Sequence, residues 1–328
     1  MGYEVVIVEK KTNLERYTEQ PLNVDFFDYV ESESESFSRM HKAHKEHVRS
    51  REILLKTCDD LKLNYTVFKI EDLMTEGNRR QSKLSFFRPD SPNSGFHPEK
   101  KLVISLGGDG TLLHASHFCG LNSILLGINS CPEFSTGHLC SIGAKSVKLA
   151  LLKFLEGKLE TQKVSRLYVS SDKNLKIPLA LNDILFCNKH PAASSRYKLS
   201  LYSKKNGSLL KSQEQLSSGV WISSPAGRTA SASLYGHNEF EYGSSKILVS
   251  VRELYSYRKS PKQSLKALDV FHVDDEKTKL VLFSEMRQGL ICVDGHDYCS
   301  SIGFGEELEI SSPKNCQLSL VKKLSDSL

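Results

Sequence analysis

Residues 102–118 read LVISLGGDGTLLHASHF, an apolar run that ends in Gly107-Gly108-Asp109-Gly110-Thr111 and continues at once as a helix-like segment. Glycines at a strand-to-helix turn let backbone N–H groups approach a phosphate closely, and the first turn of the following helix favours negative charge. Asp109 adds something a simple phosphate cradle does not need. A carboxylate among phosphates repels them unless it binds a metal or takes a proton from an attacking hydroxyl. The stretch reads as a phosphoryl-transfer site built on an α/β turn.

The bland alternative is an ordinary tight turn after a strand. The G-x-G-x-x-G spacing of dinucleotide folds is absent, and no Gly-Lys-Ser/Thr follows to make a P-loop. Four residues beyond Gly110, His114 is placed to face a phosphate, whereas His117 reads as structural.

Two further groups carry chemistry. Leu181-Asn182-Asp183-Ile184 lies inside the apolar stretch IPLALNDILF. Two polar residues in the middle of a buried strand need hydrogen-bond partners or cost roughly 1–3 kcal/mol each. Sugar hydroxyls suit them, and a bulge satisfied by backbone is the structural alternative. The second group is Trp221-Ile222-Ser223-Ser224-Pro225-Ala226-Gly227-Arg228-Thr229-Ala230-Ser231, a strand that meets a turn of small residues. Its Arg228 can grip a phosphate bidentately or stand as a solvated turn residue. His41, His44 and His47 recur every third residue, but that spacing drifts around a helix and lysines interrupt it. They read as a solvated helix face, with no metal site.

The elements that must position these groups fall into two textures. Tyr3–Val8, Tyr65–Ile70, Leu102–Leu106 and Ile124–Ile128 read as strands, with helices over 34–62 and Thr111–Cys119 between them. Glu31, Glu33 and Glu35 suit the N-terminus of the first helix, and residues 75–100 read as a loop. Strands alternating with helices imply a parallel sheet with right-handed crossovers. After an amphipathic helix over 145–157, β signals dominate: Arg166–Ser170, Leu179–Phe186, Tyr197–Ser203, Gly219–Ser223, Lys246–Val251, Lys279–Phe283, Gly289–Val293 and Glu307–Ile310. Asn206-Gly207 signals a type I′ hairpin, and Asp294-Gly295 a second hairpin. The boundary is set near residue 144, with an α/β domain over 1–144 and a β-rich domain over 145–328.

Composition narrows the partners. Of 328 residues, 39% are hydrophobic and 25% charged, which describes a soluble globular chain. The formal charge of +5 is spread thinly, without the basic blocks of nucleic-acid binders, and fits a weak attraction for nucleotides. No apolar run reaches the ~18 residues of a membrane span. Eight scattered cysteines with no C-x-x-C pair, and no apolar signal sequence, point to reduced thiols in the cytosol. Cys292 and Cys299 flank a hairpin turn and receive no function.

Gly107–Thr111, Asn182-Asp183 and Ser224–Ala230, in this order, resemble the three signatures of the NAD kinases, which look like GGDGT, N-D/E and T-P-T-G-S-T-A. Gly127–Ser130, Ser135–Cys140, His190-Pro191, Ser195-Arg196 and Ile291–Gly295 resemble the divergent branch of plant NADH kinases and mitochondrial NAD kinases. The resemblance runs from about Leu102 to Ile310. It implies a Rossmann-like α/β domain of the NAD kinase and diacylglycerol kinase type, a β-rich second domain, and an active site between them. It implies transfer of the ATP γ-phosphoryl group, with Mg²⁺ or another divalent metal carried by the nucleotide, to the adenosine ribose 2′-OH of NAD or NADH. Asp109 then corresponds to the proton acceptor. Gly107, Gly108, Gly110, Thr111, His114, Asn182, Asp183, Arg196, Ser224, Ala226, Gly227, Arg228, Thr229 and Ala230 fall among the nucleotide-binding residues.

The same resemblance implies a homodimer or larger homo-oligomer, with neither membrane nor nucleic acid as partner. Ala226 stands where the family usually has Thr, Arg228 where it has Ser, and Ser218 where many members carry Asp. Two other readings share the turn: a lipid kinase of the diacylglycerol or sphingosine type, and a non-catalytic NAD(H) sensor.

Overall fold

The computed structural model describes residues 4–19, 35–71, 86–89, 101–173, 175, 177–230, 233–234, 240–255 and 269–324. Apart from 86–89, the expected loop at 75–100 therefore lies outside the described residues, as do Glu31 and Glu33. Two units emerge from the backbone. One comprises Met1–Ser85, Asn93–Gln162 and Ser319–Leu328, and the other Phe86–Pro92 and Lys163–Leu318.

The first unit is built on parallel pairing. Its strands run in the order Asn64–Lys69, Glu4–Glu9, Lys101–Gly107, Ile124–Asn129, then Leu318–Val321 and Thr161–Val164. Val5 to Val8 and Leu102 to Leu106 are buried without alternation. A strand covered on both faces reads as a continuous apolar run, which is why these strands were legible in the sequence. The helix Val147–Leu155 buries Val147, Ala150, Leu151 and Phe154, one helical stripe, against Val5, Leu102 and Ile128.

That packing corrects the boundary near 144. The helix belongs to the first unit, the break falls between Gln162 and Lys163, and the strand Leu318–Val321 returns from far along the chain. A boundary drawn on composition is contiguous and cannot register such a return.

The second unit holds two antiparallel sheets. One is ordered Leu209–Ser217, Ser195–Ser203, Thr278–Ser284, Glu307–Ser311, Tyr168–Ser171. The other is ordered Val270–Asp274, Lys246–Val251, Val220–Ser223, Asp183–Asn188, Gly289–Val293, Tyr298–Ile302. The strand Leu209–Ser217 was not expected. It lies at a sheet edge, buries Gln215 and Ser217 but none of its three leucines, and so lacks an apolar alternation. Among the described residues, no helix is long and apolar enough to cross a membrane.

Two turn and cysteine expectations change. Gly207 has φ +70°, but Asn206 is not among the positive-φ residues, so the hairpin there is not type I′. The Gly207 N–H instead reaches back to the Ser203 carbonyl at 2.8 Å. At the second hairpin both Asp294 (φ +49°) and Gly295 (φ +118°) are left-handed. Cys292 and Cys299, expected as reduced thiols, form a disulfide because the hairpin register sets them directly opposite, with Cα atoms 4.1 Å apart.

Candidate functional site

The strand Lys101–Gly107 delivers the glycine turn, and the helix Asp109–Ser116 leaves it. Gly107 has φ +158°, and a Cβ there would collide with the Thr111 side chain. A Cβ on Gly108 would strike Ser135 Oγ. These two glycines are needed for the protein's own packing. Gly110 is different: it is exposed, and a Cβ built on it meets nothing within 4 Å.

Asp109 opens the helix, where a carboxylate interacts favourably with the helix dipole. Its Oδ2 accepts the His138 N–H and its Oδ1 the Leu139 N–H, both at 2.8 Å. Asn129, at the end of the neighbouring strand, organises the same loop. Its Nδ2 donates to the Ser135 carbonyl at 2.9 Å, and its Oδ1 accepts the Cys131 N–H at 3.2 Å. The Ser130 N–H donates to the Gly107 carbonyl at 3.2 Å, so residues 129–139 fold back onto the turn. Thr111 is fully buried, and its Oγ1 has no hydrogen-bond partner among the described residues. His114 lies one turn after Gly110 on the same helix face, half-buried, its ring 6.1 Å from that of His117.

The helix Glu35–Asp60 supports this loop from behind. His47 is buried, and its Nδ1 lies 2.9 Å from Ser130 Oγ. Burial pushes the His47 imidazole down from the usual 6.5 to about 4. His44 Nδ1 lies 2.8 Å from Thr12 Oγ1. The histidine series is thus not a solvated face. Every-third spacing turns its members toward different neighbours, and two of them are held by hydroxyls of adjoining segments.

In the second unit, the strand Asp183–Asn188 lies between Val220–Ser223 and Gly289–Val293. Both neighbours run antiparallel to it, so their C-terminal ends meet its N-terminal end. One sheet end therefore collects Asn182-Asp183, the turn after Ser223 and Asp294. This corrects the placement of the polar pair inside a strand over Leu179–Phe186. The strand starts at Asp183, and the pair stands at its entrance.

Ser224 ties the turn to the pair. Its N–H donates to the Asn182 carbonyl at 2.9 Å, and its Oγ donates to the Leu181 carbonyl. The same Oγ accepts the Ala226 N–H at 3.0 Å. A Cβ on Gly227 would collide with the Asn182 carbonyl. From the other side, Asp294 Oδ2 accepts the Leu181 N–H at 2.7 Å. Its Oδ1 accepts the N–H groups of Asn182 at 2.7 Å and Asp183 at 3.0 Å. Asn182 Oδ1 is buried with no partner among the described residues.

Comparison with known proteins decides the family. No protein-family model matches the chain. A probable NADH kinase of Oryza sativa subsp. japonica is 36% identical over 230 residues, covering 64% of this chain and 68% of that protein. The NADH kinase of Arabidopsis thaliana is 32% identical over 243 residues, covering 69% of this chain and 75% of that one. The chain belongs to the NAD/NADH kinase family. At the level of fold, it is similar to an NAD kinase from Archaeoglobus fulgidus solved with ATP (TM-score 0.57, 16% identity, 98% of this chain and 94% of that one). It is also similar to yeast NADH kinase solved with NADH (TM-score 0.63, 17% identity, 99% of this chain and 85% of that one).

For an NAD/NADH kinase, the departures in the third motif have a visible consequence. Arg228, which the sequence left between phosphate contact and solvated turn, lies with its guanidinium 4.7 Å from the Tyr242 ring centroid. Its Nη1 lies 3.4 Å from the Phe240 carbonyl. Thr229 is exposed, whereas Ala226 and Gly227 are buried and present no side chain to a ligand. The Ala230 N–H closes the turn onto the Gly227 carbonyl at 2.9 Å.

Arg196 is not brought into this group. It is exposed on the strand Ser195–Ser203 of the other sheet, beyond the far end of Asp183–Asn188. Among the described residues, no three His, Cys, Asp or Glu side chains gather as a metal cage, and both Asp109 oxygens already accept N–H groups.

Two contributors escaped the sequence reading. Asp294 registered as half of a hairpin signal and within the family-like run Ile291–Gly295, but was given no role, although an acidic residue directly after the apolar strand GLICV is a usable sign. Asn129 and residues 138–139 fell within the family-like runs Gly127–Ser130 and Ser135–Cys140 but were assigned no role, since their partners lie elsewhere in the sequence.

Proposed function

We propose that this NAD(H) kinase transfers the γ-phosphoryl group of ATP to the adenosine ribose 2′-OH, making NADP or NADPH, with Asp109 as proton acceptor. The observation that carries the reading is the Asp109 carboxylate, fixed at a helix N-terminus beside the one open glycine of the turn. A ribose hydroxyl is a weak nucleophile until a base accepts its proton as the new P–O bond forms. The 2′-oxygen bonds to the γ-phosphorus, the bond to the β-bridging oxygen breaks, ADP leaves, and the hydroxyl proton passes to Asp109.

Both Asp109 oxygens already accept one N–H each. An ionised carboxylate offers about four acceptor directions, so a ribose hydroxyl finds a free one. The divalent metal enters as part of MgATP and offsets phosphate charge. Backbone N–H groups of the Gly107–Thr111 turn and His114 supply further positive potential. Asn182 and Asp183 hold ribose hydroxyls, with the unpartnered Asn182 Oδ1 as one acceptor. The segment Ser224–Ala230 lines the substrate and keeps the pair in place. Family resemblance supports a homodimer or larger assembly and a cytoplasmic enzyme.

Purified protein incubated with MgATP and, in separate reactions, NAD, NADH, diacylglycerol and sphingosine tests the reading. NADP or NADPH should form, and the lipids should remain unmodified. Binding of NAD(H) without product would favour the sensor, and lipid phosphorylation alone would return the lipid kinase.

A further inference from the structure

We infer that Asp294 is a positioning residue for NAD(H): its carboxylate gathers three successive backbone N–H groups and so sets the direction in which Asn182 and Asp183 face their ligand. The inference rests on the assignment of that pair to the sugar of NAD(H).

The geometry sets Asp294 apart from an ordinary turn residue. Its two oxygens accept the N–H groups of Leu181, Asn182 and Asp183, at 2.7, 2.7 and 3.0 Å. Its own N–H returns a bond to the Asp183 carbonyl at 3.0 Å. Three consecutive N–H groups that converge on one anion form a concave backbone nest, and charge-assisted bonds of this kind are stronger than neutral ones. The backbone path at Asn182-Asp183 is thereby fixed on the side opposite Ser224, which bonds the Leu181 and Asn182 carbonyls.

Asp294 is itself held firmly. It occupies a four-residue turn between paired strands, flanked by the Val293 and Tyr298 register pair and by the Cys292–Cys299 disulfide. These three bonds run to backbone N–H groups and so act on the backbone direction of the pair. A carboxylate that only stabilised the sheet would have no reason to act on one nucleotide more than the other.

Asp294→Asn and Asp294→Ala test this by steady-state kinetics for each nucleotide, with NADH fluorescence titration and thermal melting in parallel. Asn keeps one acceptor oxygen and so preserves the bonds to Asn182 and Asp183 while losing that to Leu181. We expect KM and Kd for NADH to rise about 3- to 10-fold in Asp294→Asn and about 50-fold in Asp294→Ala, as an ordering of lost charge-assisted bonds. KM for ATP should stay within about twofold and kcat within about threefold, which marks lost binding and not lost chemistry.

An unchanged NADH KM in folded Asp294→Asn overturns the inference, as does an equal rise for both nucleotides. An Asp294→Asn protein that fails to fold overturns it too, since the carboxylate would then hold the sheet and not the pair. Wild-type protein assayed alongside separates the two levels: without NADP(H) the kinase reading falls, whereas normal wild-type turnover with unmoved variant constants removes this inference alone.

Discussion

The turn at Gly107–Thr111 and the corner at Leu181–Asp183 use the same materials in opposite ways. Each sets a carboxylate against backbone N–H groups and packs a glycine where a side chain would intrude. In the turn, the carboxylate that holds the loop, Asp109, is also the group we propose as the proton acceptor. In the corner the tasks are divided, because Asp294 holds the backbone N–H groups of the segment and leaves the side chains of Asn182 and Asp183 out of those bonds. The glycines differ in the same sense. Gly110 has open space beside it, and Gly227 is filled by the Asn182 carbonyl. Residue type alone does not tell a scaffold from a contact. The direction in which its bonds run does.

The largest test of this contrast is Asp109→Asn. Loss of a general base should lower kcat by about 10²- to 10⁴-fold, while NADH binding by fluorescence changes little. Turnover within tenfold of wild type would reduce the turn to scaffold and erase the difference between the regions.

Next comes acid. Folding holds His47 neutral, with its value pushed down to about 4 by burial, while the unfolded chain binds a proton near 6.5. The unfolded state therefore binds more protons, and stability rises with pH. The contribution is complete above about 6.5 and is lost as pH falls toward 4, amounting to about 3 kcal/mol. Calorimetric melts across that window should show the slope in wild type and a flatter one in His47→Gln. Because His47 supports Ser130 beside the turn, hydrogen exchange should rise first around residues 129–139 and only later around 181–183.

Gly227→Ala follows, with a stability loss of about 1–3 kcal/mol from overpacking against the Asn182 backbone. A melt indistinguishable from wild type would show that the corner yields more readily than its packing implies. The smallest effect belongs to Gly110→Ala, which should stabilise the helix by about 0.5–1 kcal/mol while raising the nucleotide KM several-fold. Gain in melting temperature with no change in KM would mean that nothing approaches the turn there.

The sequence was most legible where burial is two-sided or the motif is local. The parallel strands Glu4–Glu9 and Lys101–Gly107 announced themselves as apolar runs, and the glycine turn could be read from five residues. Asn182-Asp183 drew notice through its polarity, but its place at a strand entrance depends on Ser224 and Asp294, far along the chain. The helix Val147–Leu155 was found and given to the wrong unit, since its amphipathic stripe does not name the sheet it covers. His44 and His47 looked solvated because the hydroxyls that hold them, on Thr12 and Ser130, lie outside their helix.

The strand Leu318–Val321 gives this architecture a timetable. It pairs in parallel with Ile124–Asn129, and Val321 is buried in the core of the first unit. A chain emerging from the ribosome has exposed all three motifs before the sheet beneath the first of them can close. The glycine turn must wait, on a core with an unfilled seam, while the intervening antiparallel strands are made. Contacts so distant in sequence are slow to find. The unit that begins the chain is thus among the last to be finished, and the unit inserted into it is free to fold first.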